Sequence, residues 1–349
     1  MRDERGIGVE ADRVAAEDSL RPEISIIVPV YHVEKTLTRA LDSLLGQTFS
    51  DFEIVLVNDG GTPEETAICE EYARKDGRIV YAFQENQGLS AARNTGLRLC
   101  RGRWIMFLDT DDWVHKEFCE KALDSVISTG ADIGVFDLLY ANGDTEEGLP
   151  HRSKLAEGVY SGCRALEERI RGNIVGYVWN KIYRRELWDA VEFPVGEIWE
   201  DDAVLHEVLD KAEKVAIIHD ILYFKGYREE SITAQASRDA SNTYWLFVQR
   251  RRRWEYLERH RPELLPVATQ NTAMTLVVYG RTCLFTTRDL QGFGEARQWA
   301  RHAGLSSREM KWHTAIRYWA FLHSKPLFRL LEHAVPLLKG AGIQPDYRR

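Results

Sequence analysis

Residues 104–113 read Trp104-Ile105-Met106-Phe107-Leu108-Asp109-Thr110-Asp111-Asp112-Trp113, a short apolar run that stops in three carboxylates and a threonine. A run this short, bounded by polar residues, is typical of a strand buried on both faces of a sheet. Open α/β sheets bind ligands in the crevice at the carboxyl ends of their strands. The pattern therefore predicts that Asp109, Asp111 and Asp112 lie at a ligand crevice.

Crowded carboxylates repel one another and are costly to desolvate, so this cluster is expected to bind a cation. Hard oxygen ligands favour Mg²⁺ or Mn²⁺ over Zn²⁺. The alternative is a solvated acidic turn that caps the next helix, and the Asp109-Thr110-Asp111 tripeptide alone does not decide between the two.

The composition excludes several classes of protein. The chain has 349 residues, 44% of them hydrophobic, which is enough for one large or two modest domains with an apolar core. A formal net charge of −8 argues against a nucleic-acid partner, because such proteins usually carry a basic footprint. Five scattered cysteines without C-x-x-C spacing indicate neither a disulfide framework nor a zinc site. With no signal peptide at the amino terminus and no apolar run long enough to span a membrane, we expect a cytoplasmic protein.

Strands and helices alternate through the first part of the chain. A helix is predicted after each of the first three strands, and apolar, β-branched runs place the four strands at 24–31, 52–57, 79–83 and 104–108. Pro29 should mark the carboxyl end of the first strand, and Gly46 should end the first helix. Asp59 follows the second strand in a glycine-rich turn, so a further acid stands at a strand's carboxyl end. These βα units predict a parallel, doubly wound sheet.

The pattern changes after the fourth strand. A predicted helix at 115–129 and a predicted strand at 133–139 precede a polar segment, 141–155, which is either an insertion or a mobile lid, with insertion favoured. A second acid cluster, Glu200-Asp201-Asp202, opens a predicted helix, and capping of the helix dipole is its simplest explanation. Further strands are predicted at 215–218 and 222–227, and the chain is helical in pattern from about residue 240.

The last 46 residues, 304–349, contain eight lysines and arginines against three acids. Apolar and aromatic side chains recur there at helical spacing, at Trp312, Ile316, Trp319, Ala320 and His323. A basic helix of this kind can lie on an anionic membrane surface. The alternative is an ordinary helix packed on the rest of the protein, and the sequence leaves both interpretations open.

Five segments occur in the order seen in family 2 glycosyltransferases, and the chain resembles the bacterial members that build exopolysaccharide, capsule or other surface glycans. The segments are SIIVPVY at 25–31, NDG at 58–60, GLSAARNTG at 88–96, FLDTDDW at 107–113 and EDD at 200–202. The resemblance implies the α/β GT-A fold, in which a nucleotide-binding sheet merges with an acceptor-binding half. It also implies transfer of a sugar from a nucleotide sugar with inversion at the anomeric carbon.

The resemblance divides the chain into three parts. A disordered tail is expected at 1–22, a GT-A domain at 23–235 and a helical C-terminal region at 236–349. Within the GT-A domain, 23–130 would be the nucleotide-sugar half and 131–235 the acceptor half.

The resemblance further implies which residues bind the donor. Asp59 would accept a hydrogen bond from a uracil-type ring nitrogen, and Arg93 would hold the nucleotide and its phosphates. Asp109 would contact ribose or sugar and the metal, and Asp111 would bind the Mn²⁺ or Mg²⁺ that bridges the diphosphate. The base and ribose pocket would be lined by Pro29, Val30, Tyr31 and Glu34.

On the acceptor side, Asp201 would be the general base that deprotonates the acceptor hydroxyl. Burial and its acidic neighbours would raise its pKa toward working pH. Breaking the bond from sugar to phosphate develops negative charge on the leaving diphosphate, which a bound metal ion neutralises as a Lewis acid. The resemblance also suggests acceptor-binding residues, namely Trp199, Glu200, Asp202 and Lys181, with Trp179 beside them.

Four positions depart from the family pattern, and all lie beside the nucleotide site. The family often has Asn where His32 stands, Ser and Asp where Gly61 and Pro63 stand, and Gly where Gln87 stands. The residues expected to bind the donor and the metal remain, so the departures affect base identity and turn geometry rather than activity.

The leading hypothesis is an inverting, metal-dependent glycosyltransferase that uses a UDP-sugar and a glycan or lipid-linked acceptor, on the cytoplasmic side of a membrane. A sugar nucleotidyltransferase would need a glycine-rich phosphate loop in the first βα turn, and residues 30–35 contain no glycine. A non-catalytic nucleotide-sugar-binding assembly subunit would be expected to lose the base or the metal ligand, and both Asp201 and Asp111 are present. The motifs do not specify the donor sugar, the linkage or the oligomeric state.

Overall fold

A computed structural model describes residues 21–143, 145–226 and 241–340. These residues form two compact units. The first unit comprises 21–162, 177–196 and 208–226, and the second comprises 163–176, 197–207 and 241–340. Apart from Arg21 and Pro22, the expected disordered tail lies outside the described residues.

The first unit is built on a sheet of ten described strands. In chain order they are β1 (Ile24–Val30), β2 (Phe52–Asp59), β3 (Ile79–Gln84), β4 (Trp104–Phe107), β5 (Trp113–Val114), β6 (Ile133–Ala141), β7 (Gly148–His151), β8 (Gly158–Ser161), β9 (Lys181–Arg184) and β10 (Lys214–Lys225). Their order across the sheet is β3-β2-β1-β4-β9-β6-β10-β5, with β7 on β6 and β8 on β10. Strands β1 to β4 pair in parallel with one another, and β6 pairs in parallel with β10. The predicted mostly parallel α/β sheet is therefore confirmed.

Four helices cover this sheet, namely α1 (Leu37–Leu45), α2 (Pro63–Lys75), α3 (Leu89–Leu99) and α4 (Phe118–Ile127). Helix α1 buries Leu37, Ala40, Leu41 and Leu44, and it is capped at its carboxyl end by Gly46, as expected. Helix α3 lies directly on β1, because a Cβ atom at Gly96 would be only 2.3 Å from Cγ2 of Ile27. The close backbone approach that small residues permit is thus used at this point.

Two predictions in the second half of the sheet need correction, and one strand there was not predicted. The polar segment 141–155 is not only a loop, because β7 within it pairs antiparallel with β6 as a hairpin. The two strands predicted at 215–218 and 222–227 are one strand, β10, whose register with β6 shifts between Ile217 and Ile221. The antiparallel strand β9, which lies between β4 and β6, was not predicted.

The second unit is helical, as predicted. It holds most of α5 (Gly162–Arg171), the start of α6 (Glu200–Lys211), and α7 (Ser241–His260), α8 (Leu265–Phe285), α9 (Leu290–Ala303), α10 (Trp312–His323) and α11 (Lys325–Gly340). A buried ion pair joins α10 to α11, with Arg317 donating to the two oxygens of Glu332 at 2.6 and 2.7 Å. Among the described residues, no helix is both long and apolar enough to cross a membrane.

Candidate active site

Asp59 ends strand β2, and its buried carboxylate organises the turn that follows β3. Its Oδ1 accepts hydrogen bonds from Nε2 of Gln84 at 2.7 Å and from the backbone N of Gln87 at 3.0 Å, and its Oδ2 accepts from the backbone N of Gly88 at 2.8 Å. A carboxylate has about four lone-pair sites. Three protein donors therefore leave Oδ2 able to accept a hydrogen bond from a ligand.

The loop after β1 carries Tyr31 and Glu34 and is fastened to helix α2 by Glu65. The backbone N of Val33 donates to Oε1 of Glu65 at 2.5 Å, and the backbone N of Thr62 donates to Oε2 at 2.8 Å. Glu65 was not predicted as a residue of this site, although Thr62 and Glu65 form the T-x-x-E pattern of a capping box. The Pro63 that departs from the family pattern begins this helix.

The geometry of this loop also accounts for another departure. His32 has φ of +52°, in the left-handed region. Asn and His adopt that conformation more readily than most residues, so either can occupy the position. Beside it, Tyr31 is 44% exposed, whereas Val30 is buried in β1.

Arg93 connects helix α3 to the acid cluster after β4. Its guanidinium is buried and donates from Nη2 to Oδ1 of Asp109 at 2.8 Å. The same guanidinium lies over the ring of Phe193, 5.4 Å from the centroid. The backbone N and O of Phe193 form hydrogen bonds of 2.8 Å with the side-chain amide of Asn94. No local pattern marks Phe193 in the sequence, so its role was not predicted.

The structure brings the three aspartates of the first cluster together. Asp109, Asp111 and Asp112 offer carboxylate oxygens that all lie within 4.8 Å of one another. Asp109 and Asp111 are partly exposed, whereas Asp112 is fully buried. Hard oxygen donors at this spacing suit Mg²⁺ or Mn²⁺, so the residues present fit the metal that the sequence predicts.

Both carboxylate oxygens of Asp112 accept hydrogen bonds from other groups of the protein. Its Oδ2 accepts from the hydroxyl of Tyr223 at 2.8 Å, its Oδ1 accepts from the backbone N of Gly226 at 2.8 Å, and Nζ of Lys225 lies 3.6 Å away. Burial raises the pKa of Asp112 to about 8, while the charge of Lys225 acts in the opposite direction. Asp112 therefore attaches the acidic turn to the end of β10, which leaves Asp109 and Asp111 as the better candidates for metal ligands.

Trp179 and Lys181 belong to the core of the first unit. The buried Trp179 indole stacks with two rings, that of Tyr177 with ring centroids 4.4 Å apart and that of Tyr223 at 4.1 Å. The ammonium of Lys181 is buried and donates to the backbone O of Tyr177 at 2.6 Å and to Oδ1 of Asn180 at 2.7 Å. In this arrangement neither side chain presents a surface to an acceptor, so an effect on acceptor binding would be indirect.

The second unit carries the other acid cluster. We call residues 197–202 the acid segment; it ends in Glu200, Asp201 and Asp202, which form the first turn of α6. Trp199 has φ of +63°, and its backbone O accepts from the backbone N of Asp202 at 3.0 Å, which begins the helix. Its indole Nε1 donates to Oδ1 of Asn242. The predicted helix start is confirmed.

Both oxygens of Asp202 are bound by arginines. Arg169 of α5 donates to Oδ1 and Arg250 of α7 donates to Oδ2, while Nη1 of Arg253 lies 4.0 Å from Oδ1. Burial acts to raise the pKa of Asp202, but the charges of Arg250, Arg169 and Arg253 outweigh it and hold that pKa well below its usual range. These arginines therefore neutralise much of the negative charge that Asp202 was expected to place beside Asp201.

A mostly parallel sheet with Asp59 after β2 and Asp109 after β4, the two strands on either side of β1, has the features expected of a GT-A glycosyltransferase. Residues 25–192 match the family model described as "Glycosyl transferase family 2". Glycosyltransferase GlyA of Streptococcus pneumoniae serotype 4 is 35% identical over 220 residues, which cover 60% of this chain and 31% of that protein. Putative glycosyltransferase EpsH of Bacillus subtilis is 35% identical over 182 residues, covering 51% of this chain and 52% of that protein. Over residues 25–192 this chain is therefore similar to glycosyltransferase family 2, and it spans only a part of the length of these relatives.

Solved structures confirm the fold. Residues 1–349 of TarS from S. aureus, in complex with UDP-GlcNAc, superpose with a TM-score of 0.71 at 19% identity, covering 90% of this chain and 92% of that chain. The mannosyltransferase PcManGT from Pyrobaculum calidifontis, in complex with GDP-Man and Mn²⁺, gives a TM-score of 0.51 at 15% identity, covering 89% of this chain and 88% of that chain. At these identities the similarity establishes the GT-A fold.

Proposed function

We propose that this protein is an inverting, metal-dependent glycosyltransferase that moves a sugar from a UDP-sugar to a hydroxyl group of a glycan or lipid-linked acceptor during synthesis of a cell-surface polysaccharide. The observation that carries the proposal is the meeting of Arg93 with Asp109 beside Asp111, at the carboxyl end of β4. The family similarity and the UDP-GlcNAc complex of TarS support a UDP-sugar as the donor.

On the donor side, Asp59 would bind the uracil ring, and Pro29, Val30, Tyr31 and Glu34 would line the base and ribose pocket. Arg93 would hold the nucleotide phosphates, since it is fixed by Asp109 and by the ring of Phe193. Asp111, together with Asp109, would hold Mn²⁺ or Mg²⁺. When bound, this ion would neutralise the charge that develops on the leaving diphosphate.

On the acceptor side, Asp201 would accept the proton of the attacking hydroxyl, which must approach the face of the sugar opposite the diphosphate. Glu200 would contact the acceptor or tune this base, and Trp199 would contribute from the acid segment. Lys181 would affect acceptor binding only indirectly, because its ammonium is buried in the core of the first unit. The carboxylate of Asp202 is bound by Arg169 and Arg250.

The proposal is tested by calorimetric titration of UDP with and without MnCl₂, with GDP as the control nucleotide. We expect UDP to bind more tightly in the presence of Mn²⁺ and GDP to bind more weakly than UDP. If no nucleotide binds under any condition, the roles of Asp59, Arg93 and Asp111 are all removed, and a non-catalytic protein becomes the better explanation.

Asp59→Asn is expected to weaken UDP binding by about 10- to 100-fold, because hydrogen bonds to a charged group contribute about 1.5–3 kcal/mol. The amide would also replace one acceptor oxygen with a donor, which opposes the backbone N–H groups of Gln87 and Gly88. Calorimetry of UDP measures the loss, and Asp51→Asn, on an exposed side chain before β2, is the matched control. Equal UDP affinity in Asp59→Asn and the control would contradict the role of Asp59.

We also propose that one face of the C-terminal helices lies on an anionic membrane surface. In α10 the exposed fraction is 75% for Trp312, 49% for Ile316 and 54% for Trp319, and these residues recur at helical spacing. Tyr318 and Phe321, on the other side of α10, are buried. The buried face of α10 therefore packs on the rest of the protein, and its exposed face is the one proposed to contact the membrane surface. Exposed cations close to the apolar face in sequence, Arg308, Lys311 and Arg329, suit an anionic lipid.

Replacing both Trp312 and Trp319 with Glu is expected to reduce co-sedimentation with phosphatidylglycerol-containing vesicles several-fold. The substitution removes two aromatic rings from the face that contacts the membrane, and it adds negative charges that the anionic lipid repels. The measurement compares these vesicles with pure phosphatidylcholine. Phe83→Glu, at a 58% exposed side chain on β3, is the matched control and should leave sedimentation unchanged. Sedimentation that the double substitution does not alter would argue against the membrane surface.

A further inference from the structure

The acid segment is fastened to helix α7 along its whole length. Arg252 donates to both oxygens of Glu197, at 2.9 and 3.0 Å, and the buried Gln249 donates to Oε2 of Glu197 at 2.9 Å. The same amide lies 3.2 Å from the backbone O of Ile198, and the indole of Trp199 donates to Asn242. A single capping residue is enough to begin a helix, whereas here three consecutive residues before α6 are bound by α7.

The last attachment, at Asp202, differs from the others because it joins three helices. Arg169 comes from α5, Arg250 and Arg253 come from α7, and Asp202 belongs to α6. Arg253 is 2% exposed, and its Nε and Nη2 atoms make no hydrogen bond among the described residues. Three guanidinium groups thus surround one carboxylate, and this orders the first turn of α6 far more strongly than a solvated capping residue would.

The backbone of the segment is also strained. Trp199 has φ of +63°, which is uncommon for a large side chain. Such conformations persist where surrounding contacts enforce them, and they concentrate at functional sites. The residues that follow Trp199 directly are Glu200 and Asp201, so the contacts on both sides of Asp201 fix the backbone that carries it.

We propose that Asp202 is a positioning residue for Asp201, held between Arg169 and Arg250 so that the first turn of α6 directs the Asp201 carboxylate toward the acceptor hydroxyl. This inference rests on the proposed function, in which Asp201 is the general base. Asp202 itself then touches neither acceptor nor donor. Its contribution is the fixed orientation of its neighbour, for which a displacement of about 1 Å can cost roughly 100-fold in rate.

The test measures kcat and KM for UDP release from the UDP-hexose that the protein turns over fastest, together with UDP affinity and amide hydrogen exchange across residues 199–205. Asp202→Asn is expected to lower kcat by about 100-fold, to leave KM for the donor and UDP affinity within two-fold, and to speed exchange in this turn. Arg250→Gln should act in the same direction. Arg250→Lys, which keeps the charge and can reach one oxygen, should restore part of kcat.

Two control variants complete the experiment. Arg251→Gln removes an exposed arginine of α7 that pairs with Glu255, and Glu207→Gln removes a carboxylate from α6 outside the cluster. If Asp202→Asn does not fold, Arg250→Gln carries the test.

The outcomes separate this inference from the proposed function. An inactive Asp201→Asn together with an Asp202→Asn variant that matches Glu207→Gln in kcat would overturn the positioning role alone. Full activity in Asp201→Asn would overturn the assignment of the base, and the positioning role with it.

Discussion

Asp111→Asn is expected to abolish the Mn²⁺-dependent part of UDP binding and to lower kcat for sugar transfer by about 10²- to 10⁴-fold. A metal ion that stabilises charge on a leaving oxygen contributes several kcal/mol, and each 1.36 kcal/mol is about tenfold in rate. Asp111 is a partly exposed carboxylate of the cluster that follows β4, whereas Asp112 is buried and bound to β10. The asparagine keeps the size of the side chain and removes its charge.

The measurement pairs calorimetry of UDP, with and without MnCl₂, with the rate of UDP release from a UDP-hexose. Asp51→Asn serves as the control, since this exposed aspartate precedes β2 at the other end of the strand from Asp59. We expect the control to keep the full effect of Mn²⁺. An Asp111→Asn variant whose UDP affinity still rises with Mn²⁺ would show that the metal is held elsewhere.

The parallel part of the sheet was predictable because its signals are local. Each of β1 to β4 is an apolar run, and the turns after β2 and before α3 contain glycines at positions of positive φ, Gly60 and Gly88. Burial of a strand on both faces selects such runs whatever the rest of the chain does. The same reasoning correctly placed the acids at the ends of β2 and β4.

The second half of the sheet was harder to predict because long-range pairing decides it. Strand β9 contains Lys181 and Arg184 and has no apolar alternation, yet it lies between β4 and β6. The ammonium of Lys181 is accommodated there because Tyr177 and Asn180 accept its hydrogen bonds. These partners can be identified only in the folded chain.

In the candidate site, too, the acidic residues could be predicted from local motifs, whereas the cations that bind them come from distant positions in the chain. Aspartates that follow strands were recognised from the motifs, and so was the helix that begins at Glu200. The charges that balance them were not, because Lys225 reaches Asp112 across more than 100 positions and Arg250 reaches Asp202 across almost 50. For Asp202 this changes the interpretation, since the sequence suggested an acidic neighbour that raises the pKa of Asp201, whereas three arginines oppose its charge.

Asp201→Asn is expected to lower kcat by about 10²- to 10⁴-fold, the usual contribution of a general base, while UDP affinity and its dependence on Mn²⁺ stay unchanged. An amide cannot accept the proton of the attacking hydroxyl. The proposed donor contacts at Asp59, Arg93 and Asp111 belong to the first unit, and Asp201 belongs to the second. The measurement is UDP release under saturating donor, with NMR of the wild-type product to establish inversion at the anomeric carbon.

This pattern differs from the one expected for Asp111→Asn, which should lose Mn²⁺-dependent UDP binding as well as kcat, and the contrast makes the pair informative. Loss of Mn²⁺-dependent binding together with kcat in Asp111→Asn, and loss of kcat alone in Asp201→Asn, would place donor binding and proton removal in separate acid clusters. If both variants lost UDP binding, Asp201 would belong to the donor site. If Asp201→Asn kept its rate while the wild-type product is inverted, another group would remove the proton. Glu200, which precedes Asp201 in the same helical turn, would then be the next residue to replace.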